Sequence, residues 1–351
     1  MVNIDKLLRS NIKKLSPYST ARDEYDGDIG VFLDANENSF GSIPEGNYNR
    51  YPDPHQTVLK KRIAEIKKIN RNKIFIGNGS DEAIDLLYRA FCEPGKDSAI
   101  IMPPTYGMYK VAAEINNVKI KEVPLTQSFD IDVDNLIATI DSSVKLIFIC
   151  SPNNPSGNLL NRDAIIKTLS FFNGIVVIDE AYIDFAKSKS WIYSQEKFNN
   201  LVVLQTFSKA WGLANIRAGL AIADEKIISI FNKIKYPYNI NGLTQQLVLT
   251  ALNYTEKKEK VVNKIISERE KLRKELLRFN FVKHVFYSDA NFLLVSVKEA
   301  NNVYDFLLQN KIIVRNRSNM INCNECLRFT VGTEEENKRL IETLSKYEKI
   351  K

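Results

Sequence analysis

Seven short apolar runs recur between residues 73 and 223, and the stretches between them carry helical rather than strand periodicity. The runs are KIFIG (73–77), SAIIM (98–102), VKIKEVPL (118–125), VKLIFIC (144–150), GIVVID (174–179), LVVLQT (201–206) and RAGLAIA (217–223). Helical candidates lie at 80–92, 105–116, 132–140 and 161–172. Strands separated by roughly 10–15 helical residues build βαβ units, because parallel neighbours need a crossover connection. Several runs are apolar at every position instead of every second one, as expected of strands covered by helices on both faces. The chain is therefore expected to be an α/β protein built on a large, mostly parallel sheet in an α/β/α sandwich.

The pattern changes after about residue 243. A long charged helical stretch (243–278) leads to HVFYSD, NFLLVSV, a helix near 299–309, KIIVRN, LRFTVG and a last helix from about 334. These elements read as a smaller α+β unit with its own sheet. The expected organisation is an N-terminal arm (1–30), a large domain (31–243) and a small C-terminal domain (244–351), and 351 residues suffice for it. In the arm, Ile4, Leu7, Leu8, Ile12 and Leu15 fall roughly on one helical face, which predicts a helix packed on the body.

Composition removes several classes of function. The net charge of +7 comes from lysines mixed with acidic residues on helical segments, with no basic groove studded with aromatics, so no nucleic-acid partner is expected. No apolar run approaches the roughly 18–20 residues of a membrane span, so no membrane partner is expected either. Asp5, Lys6 and Arg9 interrupt any apolar core a signal peptide would need. Cys92 and Cys150 lie in apolar segments and read as buried thiols. Cys323 and Cys326 have the spacing of half a zinc site, but no second pair exists and the histidines are only His55 and His284. No metal is expected, and the setting reads as reduced and cytoplasmic.

In open α/β sheets, ligands collect at the carboxyl ends of the strands. Directly after five of the apolar runs stand NGSDE, PPTYGMY, SPNNPSG, EAY and FSKAWG, so one rim gathers Ser80, Tyr106, Asn154, Asp179, Tyr182, Ser208 and Lys209. Each has a plain alternative. Ser80 can be an ordinary helix N-cap, Asp179 a cap or a metal ligand, and Lys209 a lysine reaching outward to solvent. Together they suit one ligand. A buried lysine of lowered pKa forms an imine with an aldehyde, and a carboxylate keeps a ring nitrogen protonated. An aromatic side chain stacks on the ring, and a helix N-terminus with Ser and Arg holds a phosphate. The ligand with an aldehyde, a ring nitrogen and a phosphate is pyridoxal 5′-phosphate.

With these motifs the chain resembles the fold-type-I pyridoxal-phosphate aminotransferases. The motifs are LDANEN (33–38), RYPDP (50–54), GNGSDE (77–82), PPTYGMY (103–109), SPNNPSG (151–157), IDEAY (178–182), TFSKAWGLANIRAGLA (206–221) and LRFTVGT (327–333). The resemblance implies that Lys209 carries the cofactor as a Schiff base, that Asp179 pairs with the ring nitrogen, and that Tyr182 and Asn154 bond the ring oxygen. It implies that Tyr106 stacks on the ring and that Ser80, Asp81 (through its backbone), Ser208 and Arg217 surround the phosphate. It also implies a homodimer, in which Tyr51 reaches the partner's cofactor phosphate. Arg328 would grip a substrate carboxylate with Asn36 nearby, while Arg315 and Tyr18 would help bind a phosphate carried by the substrate itself. The implied reaction exchanges an amino group between glutamate (giving 2-oxoglutarate) and an amine bearing a phosphate monoester.

The family more often has Gly where Asn215 stands, and it gives the Cys323–Cys326 pair no role. An aromatic-amino-acid aminotransferase or a threonine-phosphate decarboxylase on the same scaffold would share the cofactor motifs, leaving the substrate-side residues to discriminate. A dinucleotide site is excluded, because GNGSDE lacks the GxGxxG spacing.

Overall fold

The structure, a computed structural model, describes residues 1–20 and 30–350. Seven strands form the larger sheet: β1 (Ile74–Asn78), β2 (Ser98–Ile101), β3 (Lys119–Glu122), β4 (Val144–Cys150), β5 (Ile175–Asp179), β6 (Leu201–Thr206) and β7 (Ala218–Ala223). Their order is β1-β7-β6-β5-β4-β2-β3. β7 runs antiparallel to both of its neighbours, and the other strands run parallel to one another. The helices before and among these strands are α1 (Ile4–Leu7), α2 (Ser10–Lys14), α3 (Thr57–Lys67), α4 (Gly79–Phe91), α5 (Met108–Ile115), α6 (Val133–Thr139) and α7 (Arg162–Phe171). After β7 come α8 (Glu225–Ile234), α9 (Gly242–Ala251) and α10 (Thr255–Leu276).

The continuous apolar runs have a simple cause: successive side chains on a strand serve two different cores. Ile74, Ile76, Ile147, Ile149, Val176, Ile178, Val203 and Ile222 join one core with Leu59 and Ile63 of α3 and Ile165 and Leu169 of α7. The alternate residues Phe75, Leu146, Phe148, Ile175, Val177, Val202, Leu204 and Ala221 join the other, with Ile84 and Leu87 of α4, Tyr109 of α5 and Phe231 of α8.

A second, antiparallel sheet holds β8 (Val282–Val285), β9 (Phe292–Val297), β10 (Arg315–Asn316) and β11 (Cys326–Thr330) in the order β10-β11-β9-β8. One face carries Leu293, Val295, Val297, Leu327 and Phe329 into a core with α11 (Ala300–Gln309) and α12 (Glu334–Ile350). The opposite face looks toward the larger sheet, where Leu294 and Cys326 join its core.

Four local expectations are adjusted. The arm forms two short helices instead of one, because Arg9 leaves the helical path to dock on the end of α4. Its N–H donates to Ala90 O (3.0 Å) and its Nη1 to Arg89 O (2.9 Å). Ile4 is buried while Leu15 is exposed, and residues 21–29 of the arm lie outside the described residues. The stretch 243–278 divides into α9 and α10 at Leu252–Tyr254, where Leu252 turns into the larger sheet's core. The run 118–125 is a strand only over β3, and the run KIIVRN pairs only at β10.

Candidate active site

The carboxyl ends of β1, β4, β5 and β6 and the start of β7 surround one cavity. Ser80, Asp81, Tyr106, Asn154, Asp179, Tyr182, Ser208, Lys209 and Arg217 all line it, so residues spread over more than a hundred positions converge as expected.

One end is built for an anion. Gly79 takes a left-handed φ of 71° that swings the chain from β1 into α4, and its N–H donates to Arg217 O at 2.9 Å. Gly219 of β7 lets this turn lie flat on the sheet, since a Cβ there would stand 2.2 Å from Ser80 N. Ser80 is not the N-cap. Asn78 holds that place, its N–H donating to Glu82 Oε2 (2.6 Å), and Ser80 lies inside the first turn, whose unpaired N–H groups face the cavity end. Arg217 closes the same end, with Nη2 donating to Asp81 Oδ2 at 3.2 Å. Asp81 also accepts from Tyr106 Oη at 3.1 Å, so its side chain holds both the cation of the anion site and the aromatic wall.

The other end holds a buried carboxylate. Asp179 Oδ2 accepts from Tyr109 Oη (2.7 Å) and Oδ1 from the Ala181 N–H (3.0 Å). Burial outweighs these bonds and pushes Asp179 up to about 6. Sequence reasoning misses Tyr109. It lies in PPTYGMY beside Tyr106, and a fully buried carboxylate needing a donor is the signal that points to it.

Lys209 stands between the two ends, its Nζ 5.7 Å from the centre of the Tyr182 ring. It is not buried, contrary to expectation. The side chain rises into the open cavity, where partial desolvation and the charges of Arg328 and Arg217 lower its pKa against the opposing pull of Asp179 and Asp81. Tyr182 is buried against the edge of Phe292, and burial raises its hydroxyl pKa. Arg328 enters from β11. It lies over the Phe292 ring and donates from Nη1 to Asn154 Oδ1. Arg315 is directly opposite Arg328 across the β10–β11 pair, exposed and outside the cavity lining.

Three further expected residues stay apart from this cavity. Asn36 and Tyr51 line a separate surface groove, with Tyr51 stacked on Tyr238 at 4.5 Å. Tyr18 is exposed in the arm. Cys323 and Cys326 are buried free thiols, and among the described residues no group of three or more His, Cys, Asp or Glu side chains converges as a metal site.

The set fits pyridoxal 5′-phosphate. A buried carboxylate of raised pKa faces the cavity and gains from a cationic ring nitrogen, and the glycine-lined helix start beside Arg217 suits a phosphate. Comparison with known proteins agrees. Residues 28–344 match the family model "Aminotransferase class I and II". A histidinol-phosphate aminotransferase of Cytophaga hutchinsonii is 52% identical over 345 residues, covering 98% of this chain and 99% of the relative. The crystal structure of the histidinol-phosphate aminotransferase from Clostridium acetobutylicum superposes with a TM-score of 0.80 at 27% identity, covering 87% of this chain and 92% of that one. The fold is also that of a Sinorhizobium meliloti histidinol-phosphate aminotransferase in complex with pyridoxal-5′-phosphate, with a TM-score of 0.79 at 22% identity over 90% of each chain. This chain belongs to the class I and II aminotransferases, and its cofactor is pyridoxal 5′-phosphate.

Proposed function

We propose that this enzyme exchanges the amino group between glutamate and histidinol phosphate, with 2-oxoglutarate and imidazole-acetol phosphate as the keto partners, a step of histidine biosynthesis in the cytoplasm. The observation that carries the reading is Arg328 entering beside Asn154 at the edge of the Lys209 cavity, with Arg315 opposite it on the next strand. A guanidinium fork takes a carboxylate or a phosphate oxygen pair equally well, as two unlike substrates sharing one pocket require. The 52% identity to the Cytophaga enzyme supports the substrate choice.

The chain's residues divide the work. Ser80, Ser208, Arg217 and the backbone of Asp81 hold the cofactor phosphate, Tyr106 covers the ring, and Asn154 and Tyr182 bond its oxygen. When bound, pyridoxal 5′-phosphate supplies an aldehyde carbon for the amine and a ring that withdraws electrons from it. Asp179 holds the proton on the ring nitrogen. Lys209 is the general base that takes the proton from the substrate Cα, and its lowered pKa raises the neutral fraction that can do so. Arg328 grips the substrate carboxylate, and Arg315 and Tyr18 help bind the substrate phosphate.

We read the working unit as a homodimer. Val31, Leu33, Phe40, Ile43 and Tyr51 are exposed along one stretch of the sequence, which suits cover by a partner. Tyr51 lies away from its own cavity and belongs near the partner's. Residues 31–243 and 244–351 form its two domains, each with its own sheet.

The test is an absorption spectrum of the holoenzyme before and after adding histidinol phosphate with no keto acid present. Conversion of the yellow band to the pyridoxamine form supports cofactor, half-reaction and substrate together. A yellow protein bleached by glutamate but indifferent to histidinol phosphate overturns the substrate.

A further inference from the structure

The face of the smaller sheet that looks toward the cavity carries more positive charge than Arg315 and Arg328 alone. β10 and β11 are antiparallel with Arg315 opposite Arg328, and the pairing continues one step, since the Arg317 N–H donates to Cys326 O at 2.8 Å. Residues two apart on a strand share a face, and so do directly opposed residues. Arg315, Arg317 and Arg328 are therefore on one face, while Leu327 and Phe329 point into the core behind it.

Among the described residues no carboxylate pairs with any of the three guanidinium groups. Arg328 gives one N–H to Asn154, yet its Nε and the Nε of Arg317 are both buried with no acceptor. A buried guanidinium N–H without an acceptor is costly, and three like charges side by side add repulsion. Burial, followed by Arg315, accordingly pulls the Arg317 pKa down, and burial together with Arg317 and Arg315 does the same to Arg328. Cys323 and Tyr182 are the groups that oppose this at Arg317. Tyr182 lines the cavity, so Arg317 is the member of the trio that, with Arg328, faces a cavity-lining residue. Such a cluster is completed by an anion arriving from solution.

We propose that Arg317 is a specificity-determining residue that, with Arg328 and Arg315, receives the dianionic phosphate monoester of the substrate. The proposal rests on the β10–β11 edge being the anion subsite of the proposed substrate. A phosphate monoester carries close to two charges and three terminal oxygens on one centre, so three guanidinium groups can share it. A carboxylate has one charge and two oxygens, and one fork satisfies it. Arg317 thus favours phosphate over carboxylate at the shared subsite.

Two readouts on the holoenzyme test this. One is inhibition of the glutamate half-reaction by inorganic phosphate. The other is the ratio of apparent dissociation constants for histidinol phosphate and glutamate, from single-turnover bleaching of the yellow band. In Arg317→Gln the phosphate inhibition constant and that ratio both rise about tenfold or more, the scale of one charge-assisted hydrogen bond. Arg317→Lys, which keeps the charge without the fork, falls between wild type and Arg317→Gln. Wild-type values for both readouts in Arg317→Gln, or equal proportional losses toward phosphate, histidinol phosphate and glutamate, overturn the proposal. If wild-type enzyme ignores histidinol phosphate, the proposed substrate is wrong, and the inorganic-phosphate arm still decides the role of Arg317.

Discussion

Tyr109 donates its hydroxyl proton to Asp179 Oδ2 at 2.7 Å, joining the first turn of α5 to the end of β5 through the interior. Both residues are buried, and the tyrosine ring is itself held by stacking on Phe148 at 4.9 Å. The carboxylate that faces the cavity is thus fixed from behind by a residue that does not line it.

Tyr109→Phe removes that donor and little else. With one of its two protein bonds gone, the buried carboxylate is harder to ionise, and cofactor affinity falls by about 1–2 kcal/mol, roughly five- to thirtyfold. Titration of apoenzyme with pyridoxal 5′-phosphate checks this. An unchanged dissociation constant would remove Tyr109 from the site's support.

Asp179 sets a pH dependence of definite sign. Its pKa of about 6 in the folded protein is above its ordinary 3.8, so the cofactor-free fold holds this proton more tightly than the unfolded chain does. The stability it contributes is fully present below 3.8 and is lost as pH rises through 6, on the order of 3 kcal/mol in all. A cationic ring nitrogen reverses the preference, because it pairs with the ionised form. The thermal-melt gap between holoenzyme and apoenzyme should therefore widen from about pH 5 to about pH 7. Asp179→Asn should flatten it.

Lys209→Ala abolishes turnover while the far-ultraviolet circular dichroism spectrum stays that of the wild type. The side chain stands in the cavity and none of the mapped core packing depends on it, so the fold has no need of it. Near-normal turnover by this variant would end the mechanism.

Gly219→Ala places a methyl group 2.2 Å from Ser80 N, on a backbone that cannot move without dragging α4 off the sheet. Overpacking of this kind costs about 1–3 kcal/mol of stability. Because the displaced turn is the anion end of the cavity, cofactor affinity should fall more than the melting temperature alone suggests, and reconstitution titration beside a thermal melt separates the two. Loss of stability with full affinity would show that the helix start tolerates the shift.

Much of the molecule is legible in the sequence because it depends on local chemistry. Ile147, Val176, Ile178 and Val203 announce two-sided strands by composition, and a rim of polar residues after such strands announces a ligand. The rest depends on contacts between distant positions. Nothing near Arg9 says that it will leave its helix for the carbonyls of Arg89 and Ala90. Tyr109 has the helical spacing of an ordinary core residue, and only its meeting with Asp179 gives it a task. Arg317 sits two residues past Arg315, but its face is known only once the β10–β11 register is fixed. Lys209 stands between buried Phe207 and Ala210 in sequence, and its exposure follows only from the cavity that it lines.

Because β7 doubles back beside β6, the chain leaves and rejoins the sheet at paired positions: Thr206 is opposite Gly219, and the Phe207 N–H donates to Ala218 O at 3.1 Å. Lys209 and Arg217 ride on that one clasped segment. The spacing between the Lys209 amine and the Arg217 guanidinium is therefore gauged by a dozen residues fastened at both ends, like calipers locked at one setting. Motion of the smaller sheet need not change that setting, because neither fastening involves it.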